Sequence, residues 1–477
     1  MTKPSGVVRD FRNYLAANAI TALVSLIAIP VYSRLLEPAD YGILSVFNSA
    51  VTLLVAILPL GMHSAIGRYY YEGKDDYPEL IGTTVILSVS AFAVMSILLI
   101  PWWFDLAALI SAPSLIIPLV LAVSALRIIQ SFHNQLFAAR KESLHVAVSN
   151  LLRVMGEFGV AIVLLLLLQD NLYLGPIGGQ LVAASALAVF CIWKLRAHTK
   201  FNFQSEHARY VLAFGVPLIV YQLGGIILGA ADRFMIAAIL GTSETGVYAL
   251  SYNLGMTVSL VFVAVSQAWV PYYYTFMREK RYEEHDRQLE LVIRLICTCG
   301  LLVGVIGAEV ARPVIGPAFR GGLNLVGIVA ISYVWRALGQ AYTRNFQFAK
   351  RTALSSGVFV VAALVNVLLN WIFLPHFGIA AAAYTTLASF MVMLVLAWML
   401  NKRVVRLHTI AVKRWITPVS LVCAAIALST YLDFAAIEAT WRIVLKVLVF
   451  LTVLPLVVGR TASTMIRAWL TARKARA

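Results

Sequence analysis

Apolar residues come in runs of about 20, separated by short polar corners, along the whole chain. The pattern predicts about fourteen such runs, near 14–35, 41–66, 80–102, 114–138, 146–169, 172–193, 209–240, 245–276, 288–311, 323–348, 353–374, 378–400, 414–432 and 441–460. At 1.5 Å per residue, a helix of this length crosses about 30 Å of hydrocarbon. The runs are rich in Leu, Ala and Val and lack the roughly ten-residue alternation of an outer-membrane barrel. The expected fold is therefore all-α and polytopic.

Composition agrees and adds direction. Of 477 residues 61% are hydrophobic and only 13% charged, with a mean hydropathy of +0.85. A soluble domain carries about 25% charge, so the apolar excess must face lipid. The opening "MTKPSGVVRDFRNY" has no compact apolar stretch followed by a small-residue cleavage site, and the first span is expected to be retained. The net charge of +16 would suit nucleic acid, but its placement does not. Basic residues cluster in alternate loops, such as Arg140 and Lys141, Lys194 to Arg209, Arg278 to Arg287, and Lys402 to Arg414, while "EPAD", "GTSET" and "PHFG" hold none. That bias is expected to place both ends in the cytoplasm. Cys191, Cys297, Cys299 and Cys423 lie within apolar spans and read as small apolar side chains, so no disulfide or metal site is expected from them. No cofactor is implied.

Two corners repeat. "SRLLEPADYGILSVFNSA" (Ser33 to Ala50) matches "AAILGTSETGVYALSYNLG" (Ala237 to Gly255) when Gly42 is set on Gly246, an offset of 204. "YLGPIGGQLVAASALA" and "PHFGIAAAAYTTLASF" align at Gly175 and Gly378, an offset of 203, and "LFAARK" matches "QFAKRT" near 211. The pattern predicts a six-span unit used twice, residues 1–200 and 201–408, with a helix pair and basic tail at 409–477. An even number of spans gives both units the same orientation, as in parallel-repeat transporters, with a substrate cleft expected between them.

"SRLLEPADYGILSVFNS", "ADRFMIAAILGTSETGVYALSYNLG" and "LNWIFLPHFGIAAAAYTT", in register, resemble the signatures of Wzx-type polysaccharide flippases. These belong to the multidrug/oligosaccharidyl-lipid/polysaccharide superfamily, with MurJ-type lipid II flippases and MATE exporters. The resemblance covers essentially the whole chain. It implies two six-helix lobes and alternating access. The implied cargo is undecaprenyl-diphosphate-linked oligosaccharide for surface polysaccharide. A polymerase and a chain-length protein are implied as partners.

Such a job breaks no covalent bond. It must shelter a diphosphate and many hydroxyls from hydrocarbon, and arginine offers phosphate a rigid, always-charged fork. An Arg at mid-bilayer costs on the order of 3 kcal/mol, so it faces a partner or a wet cavity. In the fourth span Ser124, Arg127, Ser131 and Asn134 form one helical stripe; in the tenth, Ser332, Arg336, Gln340 and Arg344 form another. Asn18 in the first span and Asn48 in the second are further hydroxyl-binding candidates. The competing reading of all these residues is polar glue between helices. Arg153 and Glu157, four apart, read as a local ion pair, with Glu157 also an ion-coupling candidate. Asp232 is the other candidate for a coupling proton or sodium ion. Arg294 reads as snorkelling to the interface. Pro30, Pro59, Pro217 and Pro271 are candidate hinges, and "QLGGIILG" a close-packing or bending site.

A MATE-like drug exporter would carry an acid-rich lumen, whereas the embedded arginines (127, 153, 233, 294, 336, 344) outnumber the acids (157, 232, 309). A polymerase or ligase would need a sizeable outer loop, and none is present. No nucleotide-binding loop, catalytic triad or metal-ligand cluster is legible. A lipid II flippase remains the alternative to a Wzx-type one.

Overall fold

The computed structural model describes residues 4–59, 61–73, 75–435 and 437–474, with side chains described throughout except at 4–16, 18, 63, 64, 216–218, 220, 221, 434 and 460–474. It is all-α, with no strand among the described residues. Twelve helical segments are long and apolar enough to cross a membrane. Gly378 breaks the longest of them, Thr352–Val405, into two arms, and Ala19–Leu35 adds a shorter apolar stretch. These segments account for the predicted runs.

The helices α1 (Pro4–Leu35), α2 (Pro38–Ile57), α3 (His63–Tyr70), α4 (Tyr77–Leu99), α5 (Trp103–Leu109), α6 (Ile116–Ala139), α7 (Ser143–Leu167), α8 (Leu174–Arg196) and α9 (Ser205–Leu240) lie in a first compact unit, Met1–Ala249. The next helix, α10 (Thr242–Gly255), straddles its edge. A second unit, Leu250–Ala477, holds α11 (Val258–Glu279), α12 (Tyr282–Leu301), α13 (Gly307–Ala311), α14 (Val326–Phe348), α15 (Thr352–Leu400), α16 (Val412–Phe434) and α17 (Ala439–Lys474).

In the first unit α7 packs along α8 and α1, α6 on α8 and α2, and α9 on α2 and α4. The run expected over 41–66 ends early, at Ile57. There Pro59 is followed by Gly61, which takes φ +64°, and a Cβ on Gly61 would stand 2.5 Å from the Gly215 carbonyl oxygen. The chain turns and restarts as α3. Pro30 and Pro271 lie inside α1 and α11; Pro217 falls outside the described side chains.

The repeated corner is a contact with itself. Pro38 opens α2 at its first turn, where the missing N–H costs nothing. A Cβ on Gly42 would lie 1.8 Å from the Thr242 carbonyl oxygen, and one on Gly246 1.9 Å from the Pro38 carbonyl oxygen. The two corners therefore pack backbone to backbone, each glycine over the carbonyl four residues before its counterpart. Gly225 and Gly229 of "QLGGIILG", by contrast, have no atom of the described residues within 4 Å of where a Cβ would go, so among those residues nothing packs closely on the two glycines.

In the second unit the two arms of α15 are stitched by buried amides and hydroxyls, with Thr385 Oγ1 donating to Asn370 Oδ1 at 2.6 Å and Asn366 Nδ2 to Thr386 Oγ1 at 3.4 Å. With no water in the hydrocarbon, such groups satisfy one another between helices. The appended pair α16 and α17 is fastened by a buried ion cluster. Lys446, 1% exposed, lies 3.0 Å from Glu309 and 2.7 Å from Asp433, while Arg442 lies 3.2 Å and Arg312 3.5 Å from Glu309. Glu309, counted among the embedded acids, is one centre of this cluster.

Candidate functional site

The fourth-span stripe sits on α6. Arg127 Nη2 donates to Glu157 Oε1 at 3.0 Å and to Gln180 Oε1 at 2.6 Å, and Gln180 Nε2 donates on to Asn48 Oδ1 at 3.0 Å. Arg153 Nη1 stands 3.4 Å from both Glu157 oxygens, the i,i+4 pair expected from the sequence. Glu157 thus serves two guanidinium groups at once. Four helices (α2, α6, α7 and α8) converge on a network of two positive charges and one negative. Asn134 turns to α7, its Nδ2 donating to Asn150 Oδ1 at 3.1 Å, next to Gln130, which donates to Ser149 Oγ at 3.1 Å. Asn18 lies outside the described side chains.

Periodicity along α6 picks out Arg127 and Asn134 but not their partners. Gln180 lies in a largely apolar stretch and Asn150 beside Ser149, and only the three-dimensional fold brings them to Arg127 and Asn134. A polar residue facing a predicted polar stripe was the one available signal.

The second stripe, on α14, has a different environment. The Arg336 guanidinium carbon sits 5.4 Å from the ring centroids of both Tyr333 and Phe390. Among the described residues no carboxylate lies within 4.0 Å of it. Two ring faces offset part of the desolvation of a guanidinium, about 0.5–2 kcal/mol each, without neutralising its charge. Gln340 is half-buried one turn further on, and Arg344 lines a pocket walled by Trp269, Ile293 and Leu338 from α11, α12 and α14.

Asp232 on α9 is 1% exposed and accepts a hydrogen bond from Tyr248 Oη at 2.7 Å. Its neighbour Arg233 donates to the Gly229 carbonyl at 2.7 Å. Arg294, expected to snorkel, instead stays within the protein, 2.9 Å from Glu290 and donating to the Val457 carbonyl at 2.8 Å. Its guanidinium occupies the space where Gly459, at φ +67°, lacks a side chain. Glu290 four residues earlier supplies the charge that snorkelling would otherwise have sought in water.

Outside the membrane segments, Asp76 accepts from His207 Nε2 at 2.8 Å and from Tyr69 Oη at 2.9 Å. The hydrogen bond from His207 holds the Asp76 carboxyl below the usual carboxylate range. His207 opens α9, so this contact ties that helix to the loop before α4. The preceding segment is also fastened there, with the Lys200 N–H donating to the Pro78 carbonyl at 3.0 Å and Lys200 Nζ to Glu79 at 2.9 Å.

Comparisons with known proteins agree with this architecture. The family described as "Polysaccharide biosynthesis protein" matches residues 7–277. A "Probable low-salt glycan biosynthesis flippase" of Haloferax volcanii is 21% identical over 393 residues, covering 80% of each chain. A protein of the Lsg locus of Haemophilus influenzae is 23% identical over 403 residues, or 78% of this chain and 94% of that one. Among solved structures, the lipid II flippase MurJ in an inward closed conformation superposes with a TM-score of 0.74 at 13% identity, over 96% of this chain and 99% of the other. An inward-facing MATE multidrug transporter superposes with a TM-score of 0.64 at 15% identity, over 81% and 94%.

Proposed function

Because this chain belongs to the polysaccharide biosynthesis protein family, whose members share the superfamily of MurJ and MATE, we propose that it flips a lipid-linked oligosaccharide, carried on undecaprenyl diphosphate, from the inner to the outer leaflet by alternating access. It is a multi-span membrane protein, one of whose relatives is named a probable glycan biosynthesis flippase, and a transporter role fits that better than an enzymatic one. The proposed setting is the bacterial inner membrane, with both termini in the cytoplasm and a polymerase and chain-length protein acting on the exported unit.

The observation that carries this reading is Arg336. A mid-span cation held by aromatic faces, with no carboxylate beside it among the described residues, keeps its charge for a ligand. A diphosphate brings the missing negative charge, and the guanidinium fork meets its oxygens two at a time. The Arg127 network supplies a second surplus of positive charge, with Gln180 and Asn48 offering amides to sugar hydroxyls. An exporter of organic cations would need the opposite sign at these depths.

The test is export in a strain lacking its own flippase and supplied with defined lipid-linked sugars. Arg127→Ala and Arg336→Ala are each expected to lower export about 10- to 100-fold, the worth of one charge-assisted hydrogen bond, while the protein still inserts. Wild-type export by both variants would remove the reading. Asp232 is proposed as the coupling residue, its carboxylate buried beneath Tyr248. Asp232→Asn should leave residual flipping that no longer responds to a collapsed proton or sodium gradient; an unchanged response rules the role out.

A further inference from the structure

The last helix pair is joined to α15 by residues 401–411, and this connection is pinned to α12 and α14. Asn345 Nδ2 donates to the His408 carbonyl at 2.9 Å and Tyr342 Oη to the Ile410 carbonyl at 3.0 Å. The pin brings the His408 imidazole over Tyr282, ring centroids 4.5 Å apart, and its Nε2 to 2.8 Å from Asp286 Oδ1. His285 Nδ1 approaches the same oxygen at 3.0 Å. Two imidazole nitrogens and a carboxylate oxygen thus lie within 4.8 Å of one another, with His285 2% and Asp286 6% exposed. The sequence hid this cluster, because 122 residues separate Asp286 from His408.

We infer that His285, Asp286 and His408 form a site for a divalent metal ion of borderline softness, zinc above all. Two imidazoles and a carboxylate are the donor set of three-ligand zinc sites that keep a fourth position for water. Bonds of about 2.0–2.2 Å in a tetrahedron put donor atoms about 3.3 Å apart, so the two contacts to Asp286, at 2.8 and 3.0 Å, need to open by a few tenths of an ångström, while the two imidazole nitrogens, within 4.8 Å of each other, turn in toward the ion. The nitrogens that now donate to Asp286 give up those protons, which reappear on the opposite ring nitrogens or in solvent, and their lone pairs turn to the ion. No electron is transferred. Arg414, the nearest cation, stands off: its Nε is 3.9 Å from Asp286 Oδ2, and it hydrogen-bonds Glu283 at 3.2 Å with Glu290 at 4.0 Å. Glu290 is itself paired with Arg294 at 2.9 Å, so Asp286 and Glu283 share Arg414.

The first unit holds a built-in control. Asp76 and His207 sit 210 and 201 residues before Asp286 and His408, close to the repeat spacing, and make the same carboxylate–Nε2 contact at 2.8 Å. The position 210 before His285 is Asp75, so the first copy has one imidazole where the second has two. The paired contact common to both is a structural clasp. The added His285 is what makes the second copy a metal site.

Purified full-length protein, stripped with chelator and dialysed against micromolar zinc, should retain about one ion per chain by mass spectrometry. H207N should retain the same amount, while H285N and H408N bind at least about tenfold more weakly, as loss of one ligand requires. A wild-type protein that retains no zinc, or an H207N variant that loses as much as H285N, overturns the inference. Should H285N fail to accumulate, cobalt replaces zinc in the wild-type protein. Visible absorption bands of four-coordinate cobalt that zinc abolishes support the site, and their absence refutes it.

Discussion

Gly42→Ala and Gly246→Ala will each prevent the protein from accumulating in the membrane. The added methyl carbon would sit 1.8 Å from the Thr242 oxygen in the first and 1.9 Å from the Pro38 oxygen in the second. Both obstacles are backbone carbonyls, which cannot rotate aside like the tip of a side chain. The helices must part by more than an ångström along a packed face, costing about 3 kcal/mol or more, the upper end of what overpacking does. Gly225→Ala is the matched control. It adds the same methyl group where no atom of the described residues lies within 4 Å, and should be neutral or stabilising by up to about 1 kcal/mol. Fluorescence size-exclusion profiles of tagged variants read all three. A monodisperse, wild-type yield of Gly42→Ala would mean that the two corners do not touch.

Lys446→Met is expected to destabilise the second unit by about 3–5 kcal/mol, the cost of leaving buried carboxylates without their partner. Lys446 bridges Glu309 and Asp433 from the middle of α17, so its loss strands two acids where water does not reach. Arg442 and Arg312 remain, yet they approach Glu309 from 3.2 and 3.5 Å, and Arg442 is 3.8 Å from Asp433. Adding Asp433→Asn removes one stranded charge and should recover part of the loss. Denaturant titration in micelles distinguishes the outcomes. Equal midpoints for the single and double variants would show that the charges do not interact.

The order of spans, the doubled corner and the family resemblance were legible because each is written in local pattern: run length, Pro and Gly at turns, and a spacing near 204 residues. Helix ends were less so. The early stop of α2 at Ile57 is followed by a turn in which Gly61 presses against Gly215, a contact across 154 residues that no window of sequence contains. The candidate arginines were found by periodicity, which tells which residues share a face but not what that face meets. Arg127 and Arg336 have alike positions in their helices, yet one meets Glu157 and the other two aromatic rings. The buried Lys446 and the His285–Asp286–His408 cluster were missed for the same reason. Their partners come from distant segments, and a single charged or imidazole residue in a polar stretch carries no mark of what it will touch.

The two corners seat on each other reciprocally. Each copy offers the same surface and receives the same surface, which is the definition of an isologous contact and normally belongs to a two-fold homodimer. Cut between the two corners and expressed as separate polypeptides, the segments bearing Gly42 and Gly246 should still seat on each other there, since the fit is carried by main chain and needs no particular side chain.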